Sequence, residues 1–163
     1  MAKADMFIKF DGIDGESQVV GFEKNIQIDS FAWGVHNMSS MDSGGGGGLG
    51  KAQFQDFSFN KYADKATSAL MEECAKGEHI ATAKLVARKA DGSGNPLEYY
   101  VAEFEKVFIT TVTNAGMAAG GNPNESVAFT YEKIKLTYTE QNNDGTAGGT
   151  SAFGWDIKQW AAW

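Results

Sequence analysis

Along residues 126–139, SVAFTYEKIKLTYT, apolar and polar side chains alternate, but the apolar side changes halfway. Val127, Phe129 and Tyr131 share one parity, whereas Ile134, Leu136 and Tyr138 take the other, with the change near Lys133. Alternation with period two marks a strand with one buried face, and a regular strand cannot bury both sets on the same side. Two solutions are open. A bulge keeps one face inward throughout, or the strand buries one half inside its own subunit and the other half against a neighbour.

The rest of the chain reads mostly as strands too. DMFIKF puts Met6, Ile8 and Phe10 on one face, and DGIDG supplies turn chemistry. In NIQIDSFAW, Ile26 and Ile28 have one parity and Phe31 and Trp33 the other, so a bulge or sharp bend is expected between them. DFSFN alternates Phe57 and Phe59 with polar neighbours, and IATAKLVARK, the turn DGSGN and EYYVAEFEKVFITTV read as a hairpin. DKATSALMEECAKGEH alone predicts a good helix, with Ala66, Leu70 and Cys74 recurring along one face. Asp64, Thr67 and Ser68 are suited to capping its start and Gly77 its end. The expectation is a mainly β fold, an antiparallel β-barrel with one flanking α-helix. At 163 residues and 17.5 kDa the chain suits one domain spanning residues 1–163. Three stretches, 37–50, 113–124 and 141–151, are long for hairpin turns, and long loops in compact domains tend to carry function.

The first of these holds GGGGLGKA, which matches the phosphate-loop pattern at Gly45, Gly50 and Lys51 but puts Ala52 where a hydroxyl should bind magnesium. A phosphate loop needs a buried strand before the glycines and a helix directly after them. Here NMSSMDS precedes and the strand-like QFQDFSFN follows, so nucleotide binding is rejected. A projecting loop that lets backbone lie against backbone fits better.

Charge and composition narrow the function further. The chain carries a net charge of −7 and a pI near 4.8, which repels nucleic acid at long range. One cysteine and two histidines give neither an internal disulfide nor a complete Cys/His zinc set, and no metal or cofactor is expected. Lys3 and Asp5 stand where a secretory signal would be apolar, and no apolar run is long enough to span a bilayer. The expected product is cytoplasmic at first, without membrane insertion, and leaves the cell only by a route that ignores such signals. Cys74 and His79 suggest a thiol nucleophile, but Cys74 lies on the apolar helix face with Leu70, where a thiol is inert. No other catalytic motif is present, so no catalytic residue is assigned and an enzyme is not expected. Trp33, Trp155, Trp160 and Trp163 suit either a ligand surface or a core and subunit contact, and the terminal pair hints at packing on a neighbour.

Taken in order, MFIKFDGIDGES, WGV with a glycine-rich loop and GKA, QDFSFNKYADKATSALMEECAKGEH, AKLVARKA, EYYVAEFEKVFITTV, ESVAFTYEKIKLTYTEQ, DGT and FGWDIK cover nearly the whole chain. These residues resemble the haemolysin-coregulated protein (Hcp) family, which forms the tube of the bacterial type VI secretion system. The QDFSFNKYADKA block and the FGWDIK ending are the most specific parts.

The resemblance implies a structural and transport protein: a β-barrel with a flanking helix, six copies of which close a homohexameric ring around a wide channel. Rings would stack into a tube inside a contractile sheath, carry a VgrG-type spike protein at the tip, and be fired with effector proteins in the channel. The protein would thus be secreted to the outside or into a target cell without a signal peptide. The competing expectation is a monomeric β-barrel module that binds a carbohydrate or other ligand through its tryptophans. Because the sequence stops soon after FGWDIK, no fused toxin domain is expected and cargo would be separate molecules.

By the same resemblance, the loop that contacts the adjoining ring is Asn37, Met38, Ser39, Ser40, Met41, Asp42, Ser43, Gly44, Gly45, Gly46, Gly47, Gly48, Leu49 and Gly50. Thr113, Asn114, Ala115, Gly116, Met117, Ala118, Ala119, Gly120 and Gly121 are placed at the channel or ring rim. Ordering a glycine loop costs roughly 1 kcal/mol or more per residue, so each stacking contact should be weak and six together effective. Like charge on stacked rings should make tube growth depend on salt, or on the sheath and spike.

Overall fold

The computed structural model describes residues 5–38, 50–90 and 94–163 of the chain. Their alternating segments form antiparallel strands: β1 (Asp5–Phe10), β2 (Ile26–Ile28), β3 (Ser30–Ala32), β4 (Val35–His36), β5 (Gln53–Phe54) and β6 (Phe57–Tyr62). After α1 (Ala66–Lys76) come β7 (Ile80–Ala90), β8 (Pro96–Ala115), β9 (Asn124–Gln141), β10 (Ala147–Asp156) and β11 (Ala161–Ala162).

The parity change in residues 26–33 has a simple cause. β2 pairs with β1 whereas β3, two residues on, pairs with β6, so the chain changes neighbours at Asp29. The Asp29 N–H donates to the Asn60 carbonyl at 2.8 Å and marks the crossing. Because β6 also pairs with β9, and β9 with β8, β8 with β7, β7 with β1, the pairings return on themselves through residues 26–32. The antiparallel sheet thereby wraps one core, as the sequence pattern required.

β9 solves its own parity change in the same way. Its first half pairs with β6, as Phe57↔Phe129 and Phe59↔Val127, and its second half with β10 from Lys133 onward. Opposite the change, β8 carries Lys106 at φ 54, between the pairs Glu105↔Lys133 and Val107↔Tyr131. Val107, Tyr131, Phe104 and Ile134 are all buried, so both strands turn together and keep one face inward. Leu136 also packs against the core, and Tyr138 reaches the surface. The turn of the chain thus accounts for the inward face without a neighbouring subunit.

The core is aromatic at its centre. Phe129 meets Phe10 and Phe104 edge to face at centroid distances of 5.4 and 5.0 Å, and Phe57 lies 5.1 Å from Phe104. Each such pair adds about 0.5–1.5 kcal/mol beyond the area it buries. Helix α1 buries Ala66 and Leu70, packs half-buried Cys74 on the core, and lies on β8. Its start is held reciprocally: Asp64 Oδ1 accepts the Ala66 N–H at 2.9 Å, and Thr67 Oγ1 accepts the Asp64 N–H at 3.1 Å. Ser68, a further candidate cap, lies inside the helix, and Gly77 ends it at φ 66.

Two expected loops are shorter than their composition suggests. Thr113, Asn114 and Ala115 belong to β8, paired with Ser126, Glu125 and Asn124 of β9, so only residues 116–123 form the connection. Likewise β10 begins at Ala147, which leaves a turn of residues 142–146 after β9. Small polar side chains gave no periodicity at these positions, but backbone pairing does not require any. The turn is closed by Asn142 N–H to the Thr146 carbonyl at 2.8 Å and by the Thr146 hydroxyl to Asp144 Oδ1 at 2.6 Å.

Candidate functional site

The short strands β4 and β5 form a separate two-stranded arm, paired as Val35↔Phe54 and His36↔Gln53. This arm is the base of the expected stacking loop. Of that loop, Asn37, Met38 and Gly50 are described; residues 39–49, with most of the glycine run, lie outside the described residues. A Cβ on Gly50 would run into the Met38 carbonyl oxygen, so the two legs of the loop approach each other as closely as backbones allow. Met38 itself is 78% exposed.

The residues after the glycines continue as β5, a strand and not the helix that a phosphate loop demands. Lys51 is engaged elsewhere: its Nζ sits 4.5 Å above the ring centre of Trp160. At the arm's root, the Gln55 N–H donates to the Gly34 carbonyl at 2.8 Å, and the buried Tyr131 hydroxyl donates to the Gln55 carbonyl at 2.9 Å. Burial pushes the Tyr131 phenol well above its ordinary range, and the charge of Asp56 pushes it further the same way.

The second expected site, the rim loop, is reduced to residues 116–123. Met117 is 80% exposed there, and Gly120 and Gly121 turn the chain at φ 108 and 90. The loop returns beside the start of α1, where the Ala63 N–H donates to the Pro123 carbonyl at 2.8 Å.

Sequence reasoning missed a buried ionic cluster next to that loop. Lys61 and Glu125 are both buried, Asp64 nearly so. Lys61 Nζ donates to Asp64 Oδ1 at 2.8 Å and stands 3.3 Å from Glu125 Oε1, while the Thr67 hydroxyl donates to Glu125 Oε2 at 2.7 Å. The signal was present: Lys61 shares the inward parity of Phe57 and Phe59, and Glu125 that of Val127 and Phe129.

The tryptophans are employed within the chain. Trp33 Nε1–H donates to the Tyr100 hydroxyl at 2.7 Å, Trp155 meets Trp160 edge to face at 5.5 Å, and Trp163 lies under Lys135 at 4.6 Å. The tail folds back on its own subunit, β11 pairing with β10 as Trp155↔Ala162 and Asp156↔Ala161. His79 lies beyond the helix with its ring 3.7 Å from that of Phe108, while Cys74 packs against the core. Among the described residues no group of His, Cys, Asp and Glu could hold a metal, and no helix is long and apolar enough to cross a membrane.

Comparison with known proteins converges with this geometry. Residues 7–138 match the family described as type VI secretion system effector, Hcp. The chain is 38% identical over 156 residues to the protein hcp1 of Pseudomonas aeruginosa, across 95% of this chain and 96% of that one. Among solved structures, a type six secretion system protein shares the fold with a TM-score of 0.91 at 28% identity, covering 99% of this chain and 100% of the other. Hcp1 from Salmonella typhimurium follows with a TM-score of 0.79 at 33% identity, over 100% of both chains. With the family pattern matched from β1 through most of β9, and the fold shared from end to end, the chain belongs to the Hcp family of the type VI secretion system.

Proposed function

We propose that this protein is the ring subunit of the secretion tube: six copies close a ring, rings stack, effectors ride in the channel, and the subunit is itself exported. The observation that carries the reading is membership of the Hcp family along almost the full chain. The β4–β5 arm supports it, because a short hairpin with an exposed Met38 and a closely apposed base is a suitable projection toward an adjoining ring. Residues 116–123, with exposed Met117, are a second rim element in this reading. The sheath, a VgrG-type spike and the effectors are its partners, and its role is structural rather than catalytic.

Light scattering on a sizing column tests the ring. Six copies of a 17.5 kDa chain give roughly 105 kDa. A mass of one subunit over a wide concentration range would overturn the ring and return attention to a monomeric ligand module. Deletion of residues 44–50 then tests stacking: the ring mass should persist while longer assemblies disappear from sedimentation.

A further inference from the structure

Trp160 has an uncommon backbone. Its φ is 55, in the left-handed region that a bulky side chain adopts only when its surroundings impose it. The surroundings do so from both sides: Asp156 Oδ1 accepts the Gln159 N–H at 2.9 Å, and β11 pairs back onto β10 directly after Trp160. The strain delivers the indole to one place. Its ring meets Trp155 of β10 at 5.5 Å and 87°, and Phe54 of the arm at 6.2 Å and 81°, with Lys51 of the arm 4.5 Å above it. Phe54 also stacks on Phe153 of β10 at 6.5 Å.

The arm needs such a hold. It is a hairpin with two paired residues on each strand, too short to fix its own direction in water. Its root is held at Trp33 by Tyr100, at Gln55 by Tyr131 and at Asp56 by Thr110, but hydrogen bonds at a root leave the direction of the arm open. Aromatic contacts on the side of the hairpin close that freedom.

We infer that Trp160 is a positioning residue for the β4–β5 arm, clamping it against β10, so that the carboxyl-terminal tail sets where the arm projects. The clamp explains why a chain end carries a strained tryptophan. Its consequence for stacking rests on the function proposed above, but the clamp itself does not.

Hydrogen exchange measured by mass spectrometry on the assembled protein separates the two. Trp160→Gly removes the indole while suiting the left-handed backbone, so folding is retained. Exchange in peptides covering residues 34–38 and 50–55 should accelerate roughly tenfold, the size expected for losing an aromatic edge contact and a cation–π contact. Strands β7 to β9 should exchange as in the unaltered protein. Trp160→Phe, which keeps an aromatic edge, should restore most of the protection. Lys51→Met approaches the contact from the arm, leaves the tail untouched, and should give a smaller acceleration in the same peptides. Unchanged arm exchange in Trp160→Gly and Lys51→Met would overturn the clamp, as would acceleration spread evenly over the core strands. Faster arm exchange with unaltered stacking would keep the clamp and overturn the arm's part in stacking.

Discussion

Lys61 and Glu125 stand directly opposite each other across β6 and β9, their charged ends 3.3 Å apart and neither side chain in contact with solvent. Both occupy inward positions in strands whose other inward residues are aromatic or aliphatic. Removing Lys61 leaves the buried Glu125 carboxylate without a counter-charge, which costs about 3–5 kcal/mol, whereas removing Glu125 leaves Lys61 paired with Asp64 at 2.8 Å and should cost less. Replacing both by apolar residues of similar volume removes the desolvation cost along with the attraction. Lys61→Met should therefore destabilise strongly and Glu125→Leu less, whereas the double variant should recover part of the Lys61→Met loss. A double-mutant cycle on urea midpoints measures this, and additive losses would show that the pair does not act as a pair.

Tyr131 links alkaline stability to the arm. Burial, reinforced by the charge of Asp56, keeps its phenol protonated in the folded protein above the pH near 10 where an unfolded tyrosine ionises. Its contribution is therefore fully present below pH about 10 and is lost as pH rises from there toward the folded-state value. Stability should decline across that window. Tyr131→Phe should cost about 1 kcal/mol near neutral pH, by leaving the Gln55 carbonyl without its donor, yet decline less steeply in alkali. Urea midpoints for both proteins from neutral pH upward should converge, and parallel curves would contradict the assignment.

Gly154 carries the docking of the last residues. A Cβ there would collide with the Trp163 carbonyl oxygen, and the Trp163 N–H donates to the Gly154 carbonyl at 3.1 Å. Gly154→Ala should push the chain end away from β10 and free Trp163 from Lys135, at a cost of about 1 kcal/mol because a terminus moves more easily than a core. Carboxypeptidase should trim the variant faster with little change in thermal midpoint. Unchanged trimming, or a large fall in the midpoint, would show that the tail is held otherwise.

These cases show what the sequence could and could not reveal. Long strands and α1 were legible because a periodic apolar face is a local property. The parity changes at residues 28–31 and 131–134 were legible as bends, but the change of neighbour behind each is a long-range fact that alternation does not encode. Thr113, Asn114 and Ala115 give no strand signal because polar strand ends lack a buried face. Lys61 and Glu125 had the inward parity but not the expected chemistry, and burial rules discount charges. The tail was hardest: its docking depends on Gly154, where the informative feature is a missing side chain, and on β4 and β5, too short to show any period.

The charge of the subunit bears on how rings would meet. Each chain carries −7, so two stacked hexamers repel unless their facing charges are complementary. The screening length is about 30 Å at 0.01 M salt and about 3 Å at 1 M, so repulsion between ring faces should fall steeply over that range. Stacking of purified rings, followed by sedimentation, should accordingly rise with sodium chloride. Salt also strengthens apolar contacts, and a second lever distinguishes the causes: lowering the pH toward the pI near 4.8 removes net charge at constant low salt. If repulsion is the barrier, both treatments promote stacking, and the effect of salt shrinks near the pI. Stacking that is equal or greater at low salt and neutral pH would instead mean that the ring faces carry opposite charge where they meet.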